Sequence, residues 1–183
     1  MLAGTVLTRT VQRFLAADYP IDPAHSSVNF RIDHNGFSSI WGRVNEGSGT
    51  ISFDPADPES ASINLVIQAD SVDTNHADRN NHLRSPDFFN TAEFPEITFV
   101  STAVEVTGDN TANVAGDLTM MGVTKEVVFA TTFNQVGGFS WAPDTEVVGF
   151  SASGTVDRTE FGMMFGVGGL GSEVQVNFEV EAN

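Results

Sequence analysis

Apolar and polar residues alternate one by one through much of this chain, and that period of two constrains its fold more than any other feature. Val28-Asn29-Phe30-Arg31-Ile32, Ile63-Asn64-Leu65-Val66-Ile67 and Val174-Gln175-Val176-Asn177-Phe178-Glu179-Val180 each gather their apolar side chains on one face, as half-buried antiparallel strands do. Thr50 to Asp54, Ile97 to Val106, Thr111 to Met121, Lys125 to Val136 and Val147 to Val156 bring the expectation to about eight strands. Turn residues stand between them. Asn35-Gly36 favours a type I′ reversal, Gly108-Asp109-Asn110 joins the strands on either side of it, and Met121-Gly122-Val123 supplies another turn. The exception is NHADRNNHLRSPDFFN, from Asn75 to Asn90, which reads as a short helix or crossing loop near residues 76–90, stopped by Pro86. An antiparallel sheet of this size hides its apolar face by forming a sandwich or by closing into a barrel.

The aromatic residues bear on what such a sheet encloses. Fifteen Phe stand beside one Tyr and two Trp, so nearly all the aromatic surface lacks a polar handle. A barrel of eight strands has room for packed side chains or for one small ligand. The 183 residues suit one domain, and no apolar run approaches the ~20 residues of a membrane-spanning helix. A net charge of −16 repels polyanions and argues against nucleic acid as a partner. With no cysteine, thiolate metal sites, disulfides and cysteine nucleophiles are excluded. Residues 1–17 lack a basic leading region, and Arg9 and Arg13 interrupt their apolar stretch. They read as a leader remnant, linker or appended segment ahead of a domain at 18–183.

Motifs of catalysis are weak. Gly166-Val167-Gly168-Gly169-Leu170-Gly171 has the letters of a dinucleotide fingerprint, but a strand follows where a helix is needed, so it reads as a glycine loop at a barrel rim. His25, His34, His76 and His82 show no paired metal-ligand spacing, and Asp73, His76 and Asp78 read as a solvated polar turn. Gly149-Phe150-Ser151-Ala152-Ser153 lacks the second glycine of a nucleophile elbow. No catalytic residue and no metal ligand is assigned.

The segment His82-Leu83-Arg84-Ser85-Pro86-Asp87-Phe88-Phe89 sets bases beside an aromatic pair, with Arg79 in the same stretch. This suits a polar or anionic head next to an apolar tail. The structural alternative is an apolar plug for one barrel end, its arginines paired with nearby acids. Phe161-Gly162-Met163-Met164-Phe165, preceded by Arg158, forms a second apolar cluster.

Taken in order, Tyr19-x-Ile21-Asp22-Pro23-x-His25-Ser26, His34 and Gly36, the His82 to Phe89 segment, Phe94-Pro95-Glu96-Ile97-Thr98-Phe99 with Ser101, Val114 to Lys125, and Arg158-Thr159-Glu160-Phe161-Gly162-Met163 resemble the YceI-like family of lipocalin-like, polyisoprenoid-binding proteins. The resemblance runs from Tyr19 to about Ala182. It implies an extended, eight-stranded antiparallel barrel whose lumen holds a polyisoprenoid lipid, such as an isoprenoid quinone or a polyprenyl phosphate. It also implies a periplasmic or secreted location, with a homodimer as one open assembly, although the first residues make no convincing signal peptide.

On the apolar alternation, Phe30, Ile32, Leu65, Ile67, Phe99, Leu118, Met120, Phe129, Phe133, Phe150, Val176 and Phe178 are the expected lumen lining. Phe88, Phe89, Phe161, Met163, Met164 and Phe165 extend it from the two apolar clusters, and Arg79, His82, Arg84 and Arg158 are candidates for the head group. The leading expectation is non-catalytic binding, sequestration or transfer of the lipid, with no other cofactor. The alternatives are an enzyme acting on the lipid head and a barrel filled by its own Phe and Met that serves as an interaction module.

Overall fold

The computed structural model describes residues 16–183. The expected leader, linker or appended segment at 1–17 lies outside the described residues except for Ala16 and Ala17. The strands are β1 (Ala17–Pro20), β2 (Ser27–His34), β3 (Ser38–Val44), β4 (Gly47–Phe53), β5 (Ser62–Gln68), β6 (Val72–Asp73), β7 (Glu96–Val106), β8 (Thr111–Met120), β9 (Val123–Phe139), β10 (Ala142–Asp157) and β11 (Leu170–Ala182), with an α-helix, α1 (Ala77–Arg84), between β6 and β7. All belong to one curled sheet of order β1-β4-β5-β7-β8-β9-β10-β11-β2-β3-β6, and consecutive strands from β7 to β11 are antiparallel neighbours. The curl brings β1 round to β11. Where β2 leaves β11 at Ser27 opposite Glu179, Ile21 bridges Ala182, while Tyr19 pairs with Ile51 of β4. Asp22 N donates to Glu181 O and Asn183 N to Pro20 O, at 2.9 and 3.0 Å.

The sheet has eleven strands where about eight were expected. β1 and β6 have four and two residues, too few for a period to show. β3 is hidden by Gly42, which stands on the inward face between Ile40 and Val44. A Cβ there would lie 2.3 Å from the tip of the Phe30 ring, so the strand gives up an apolar side chain to seat its neighbour's ring. β9 and β10 also run longer than their alternation suggests. Two expected reversals form as type I′ turns, with positive φ at Asn35 and Gly36 (57° and 70°) and at Met121 and Gly122 (53° and 73°).

The excursion near 76–90 contains a helix of eight residues, capped by His76, whose Nδ1 accepts from Arg79 N. It buries no residue fully and is tied down by polar bonds instead. Arg84 Nε donates to Asp70 O at 2.6 Å and Nη2 to Val72 O at 3.1 Å, and Arg79 Nε and Nη2 donate to Thr74 Oγ1 and O, both at 2.7 Å. The glycine segment 166–171 leads into β11 with no helix after it, consistent with a rim loop.

Two apolar clusters fill the curl. One centres on Ile67, Phe88, Phe99, Phe129 and Phe161, the other on Tyr19, Ile51, Phe53 and Val148. Buried Tyr19 donates from its hydroxyl to Glu146 Oε1 at 2.5 Å. Burial first, and then the bond to Glu146, push its pKa from an ordinary 10 up to about 12. Because the folded value is the higher one, this contribution to stability is complete below pH 10 and is lost as pH rises to about 12. Tyr19→Phe should cost about 1 kcal/mol at neutral pH. In urea unfolding, the gap between wild type and variant should then narrow between pH 10 and 12. A gap independent of pH would show that the phenol's proton is not linked to folding.

Candidate functional site

The curl encloses two adjoining cavities, of about 510 and 230 Å³. Alternation along a single strand places residues in both. Val174 and Val176 of β11 line the larger, Phe178 lines both, and Val180 lines the smaller. β2 contributes Val28, Phe30 and Ile32 to the larger cavity, β8 contributes Leu118 and Met120, and Leu83, Phe88 and Phe89 cover it from α1 and the segment after it. The smaller cavity lies between Ile51, Phe53, Ile63, Leu65, Phe133 and Phe150. The interior therefore keeps open space beside its own Phe and Met side chains.

Of the expected lumen residues, Phe30, Ile32, Ile67, Phe88, Phe89, Leu118, Met120, Met163, Phe165 and Val176 line the larger cavity. Leu65, Phe99, Phe133 and Phe150 line the smaller, and Phe129 and Phe178 face both. Two fall elsewhere. Phe161 is buried in the core at 1% exposure, and Met164 is 60% exposed on the loop outside. This is a correction at both positions: the turn over Arg158–Phe161 buries Phe161 together with Arg158 three residues before it, and Met164 lies past that turn, where the chain directs Met163 inward and Met164 outward. Residues missed from the sequence include Ile40 and Val44, which alternate on the unrecognised β3, and Val28, Ile97 and Val156, which already lay on expected strands.

The polar groups of the larger cavity gather toward α1 and the 162–170 loop. Thr74, Arg79, His82, His34, Asn35 and Arg158 are among its walls. His82 Nε2 lies 2.9 Å from Asp87 Oδ2, and its ring meets Phe88 and Phe165 edge-on at 5.0 and 4.8 Å. Arg84 is outside the lining and serves the backbone carbonyls named above, so it leaves the set of head-group candidates. The expectation that these arginines pair with acids fails. Among the described residues the close contacts between a basic side chain and a carboxylate are His25–Asp22 and His82–Asp87, while the guanidinium groups bond hydroxyl and carbonyl oxygens. At 3% exposure, Arg158 donates from Nε to Gly171 O at 2.8 Å, from Nη1 to Met163 O at 2.5 Å and from Nη2 to Leu170 O at 3.3 Å. Burial lowers its pKa from the ordinary arginine value. Nearby Asp157 is occupied by Thr159, accepting from N and Oγ1 at 2.8 and 2.6 Å.

Asp73, His76 and Asp78 do not converge in one cluster. Asp73 Oδ1 accepts from Asn75 N and Asn80 Nδ2, both at 2.8 Å, and no cluster of three metal-ligating side chains occurs among the described residues. No helix among them is long and apolar enough to cross a membrane. Around the cavity mouth, Phe37, Met164, Phe165 and Val167 are exposed, on two loops joined by a bond of 2.7 Å from Asn35 N to Gly169 O.

Among known proteins, the chain is 44% identical over 162 residues to a UPF0312 protein of Pseudomonas savastanoi pv. phaseolicola, covering 87% of this chain and 83% of that one. It is 41% identical over 169 residues to protein YceI of Escherichia coli, covering 91% and 87%. In three dimensions it matches BcnA of Burkholderia cenocepacia with a TM-score of 0.81 at 26% identity, over 89% of this chain and 99% of that one. A polyisoprenoid-binding domain from Saccharophagus degradans matches with a TM-score of 0.71 at 18% identity, over 93% and 99%, and so shares the fold. The YceI-like domain model matches residues 19–182, nearly the whole curled sheet, and the chain belongs to that family.

Proposed function

We propose that this protein binds a polyisoprenoid lipid in its two cavities, sequestering or transferring it without chemical change. The observation that carries this reading is the pair of adjoining spaces, walled by Phe, Leu, Ile, Val and Met, with polar groups concentrated at one end. The fold shared with a polyisoprenoid-binding domain supports it. Burying roughly 600 Å² of prenyl chain at ~25 cal/mol per Å² is worth about 15 kcal/mol gross, much of which ordering the chain and losing its free motion offset.

The head of an isoprenoid quinone or polyprenyl phosphate belongs at the polar end. There Arg79, with Nε and Nη2 on Thr74, has Nη1 left to donate, and His82 lines the same wall. A non-catalytic role is favoured by how the polar side chains are engaged. Thr74 Oγ1, the hydroxyl on this wall, donates to Asn80 Oδ1 at 2.6 Å while accepting from Arg79, so it is held as part of the wall. A periplasmic or secreted location is part of this proposal, supported by the family resemblance alone.

Purification without detergent, solvent extraction and mass spectrometry test the reading. The expected result is a prenyl lipid near one per chain, or uptake of added prenyl lipid to that ratio, with an added prenyl phosphate recovered intact. Neither retention nor uptake would overturn the lipid reading, and turnover would overturn the non-catalytic one.

A further inference from the structure

Large apolar side chains left in water are concentrated at one end of this molecule. Among the described residues nine are exposed, and four of them, Phe37, Met164, Phe165 and Val167, stand on the two loops that border the larger cavity. The other five are spread over β3, β7, β9 and the turn between β9 and β10. Phe37 leaves 90% of its surface in water, so it contributes nothing to the core. The two loops lie side by side, with Asn35 N donating to Gly169 O at 2.7 Å. Gly166 and Gly168, at φ of 69° and 101°, turn the chain on either side of Val167 and leave its side chain outward. The four apolar side chains thus share one rim.

Charge separates this end from the other. Neither 34–37 nor 161–171 contains an Asp, Glu, Lys or Arg, in a chain with 24 acidic residues. At the opposite end, the loops that border the smaller cavity carry Asp54, Asp57, Glu59 and Asp109. The acids flanking the rim are Asp33, whose Oδ1 accepts from Gly36 N at 3.0 Å, Asp87, which faces His82, and Glu160 on the turn ahead of the second loop. A neutral apolar partner therefore meets the rim without stripping water from a charge. A second copy of the chain brings its own net charge of −16, and that repulsion opposes two rims meeting face to face.

We propose that this rim docks on the surface of a neutral phospholipid bilayer, where the prenyl lipid passes between membrane and cavity. The proposal rests on the lipid-binding reading above. Phe37, Met164 and Val167 enter the boundary between headgroups and acyl chains, where exposed apolar side chains gain by leaving water. The lipid tail moves from that layer into the larger cavity, and its head stays beside Arg79 and His82 at the same end. A route through solvent would expose the whole prenyl chain to water, which the docked route avoids. The acidic end faces away from the membrane.

Sedimentation with phosphatidylcholine vesicles, and uptake of a prenyl alcohol from those vesicles, test this with the full chain. Wild type should sediment with them, and less so at low salt as phosphatidylglycerol replaces phosphatidylcholine. Phe37→Asp with Val167→Asp changes two side chains outside the cavity lining. It should weaken vesicle binding and slow uptake from vesicles by about tenfold or more, while loading from an ethanol dispersion of the same alcohol reaches the wild-type ratio. If the double variant does not fold, Phe37→Ser alone is read the same way, with a smaller effect in the same direction. Wild type that loads from the dispersion but neither binds vesicles nor draws lipid from them overturns the docking proposal and leaves the lipid reading standing. A double variant that draws lipid from vesicles at the wild-type rate does the same, as does a wild-type dimer that these substitutions dissociate, which would put a second copy on the rim. If wild type loads by neither route, the lipid reading fails and the docking proposal falls with it.

Discussion

Arg158→Met is expected to destabilise the protein by about 3 kcal/mol and to loosen the 162–171 segment. The guanidinium of Arg158 collects the carbonyls of Met163, Leu170 and Gly171, which join the turn after β10 to the first residues of β11. Methionine fills much of the same space but donates nothing, and a buried carbonyl left without a partner costs on the order of 1–3 kcal/mol. Three such losses are offset in part because a buried cation with no acidic partner is itself costly to keep out of water. Arg158→Lys should fall between wild type and Met, since an ammonium can donate but cannot reach three divergent oxygens in one plane. Urea unfolding monitored by circular dichroism measures the difference, and hydrogen exchange at Leu170 locates it. A loss below about 1 kcal/mol would mean that water replaces the guanidinium at those carbonyls.

The other large effect concerns the lumen. Leu118→Asp should weaken prenyl-lipid binding by at least about a hundredfold while the sheet still forms. Leu118 lies near the end of β8, pairs across to Phe99 and Lys125, and faces the larger cavity. With the cavity open, water can reach a carboxylate there. With a hydrocarbon chain alongside, that water is expelled from the carboxylate, at a cost of several kcal/mol that Lys125, opposite it on β9 but exposed, offsets only in part. Leu118→Met, which changes shape but not polarity, should bind as wild type does. Lipid retained at full stoichiometry by a folded Leu118→Asp variant would remove the larger cavity from the binding site.

These two predictions draw on different kinds of information. The inward direction of Leu118 was legible from alternation alone, as were those of Phe30, Ile32, Met120, Val176 and Phe178, because side chains on a strand must point to opposite faces in turn. The role of Arg158 was not legible in that way. Its position before an apolar cluster suggested a charge offered to a ligand head, yet the structure directs its donors to three backbone carbonyls. Arg84 misled for the same reason, since the acceptors it uses, at Asp70 and Val72, are main-chain oxygens that every residue possesses. Ile40 and Val44 were overlooked because Gly42 broke the pattern between them, and the need for that glycine comes from the ring of Phe30 on another strand.

By itself, the sequence determined an antiparallel sheet with one apolar face, its principal turns at Asn35-Gly36 and Met121-Gly122, an aromatic interior, and membership of a family recognisable from motifs in order. These depend on neighbours within a few positions, where backbone sterics and the period of the strand act directly. Only the tertiary structure decided that β1 closes onto β11, that the interior remains open, and that Phe129 and Phe178 border both of its cavities. Residues 30 and more positions apart meet there because the sheet curls, and the space left between side chains depends on how all the strands pack together.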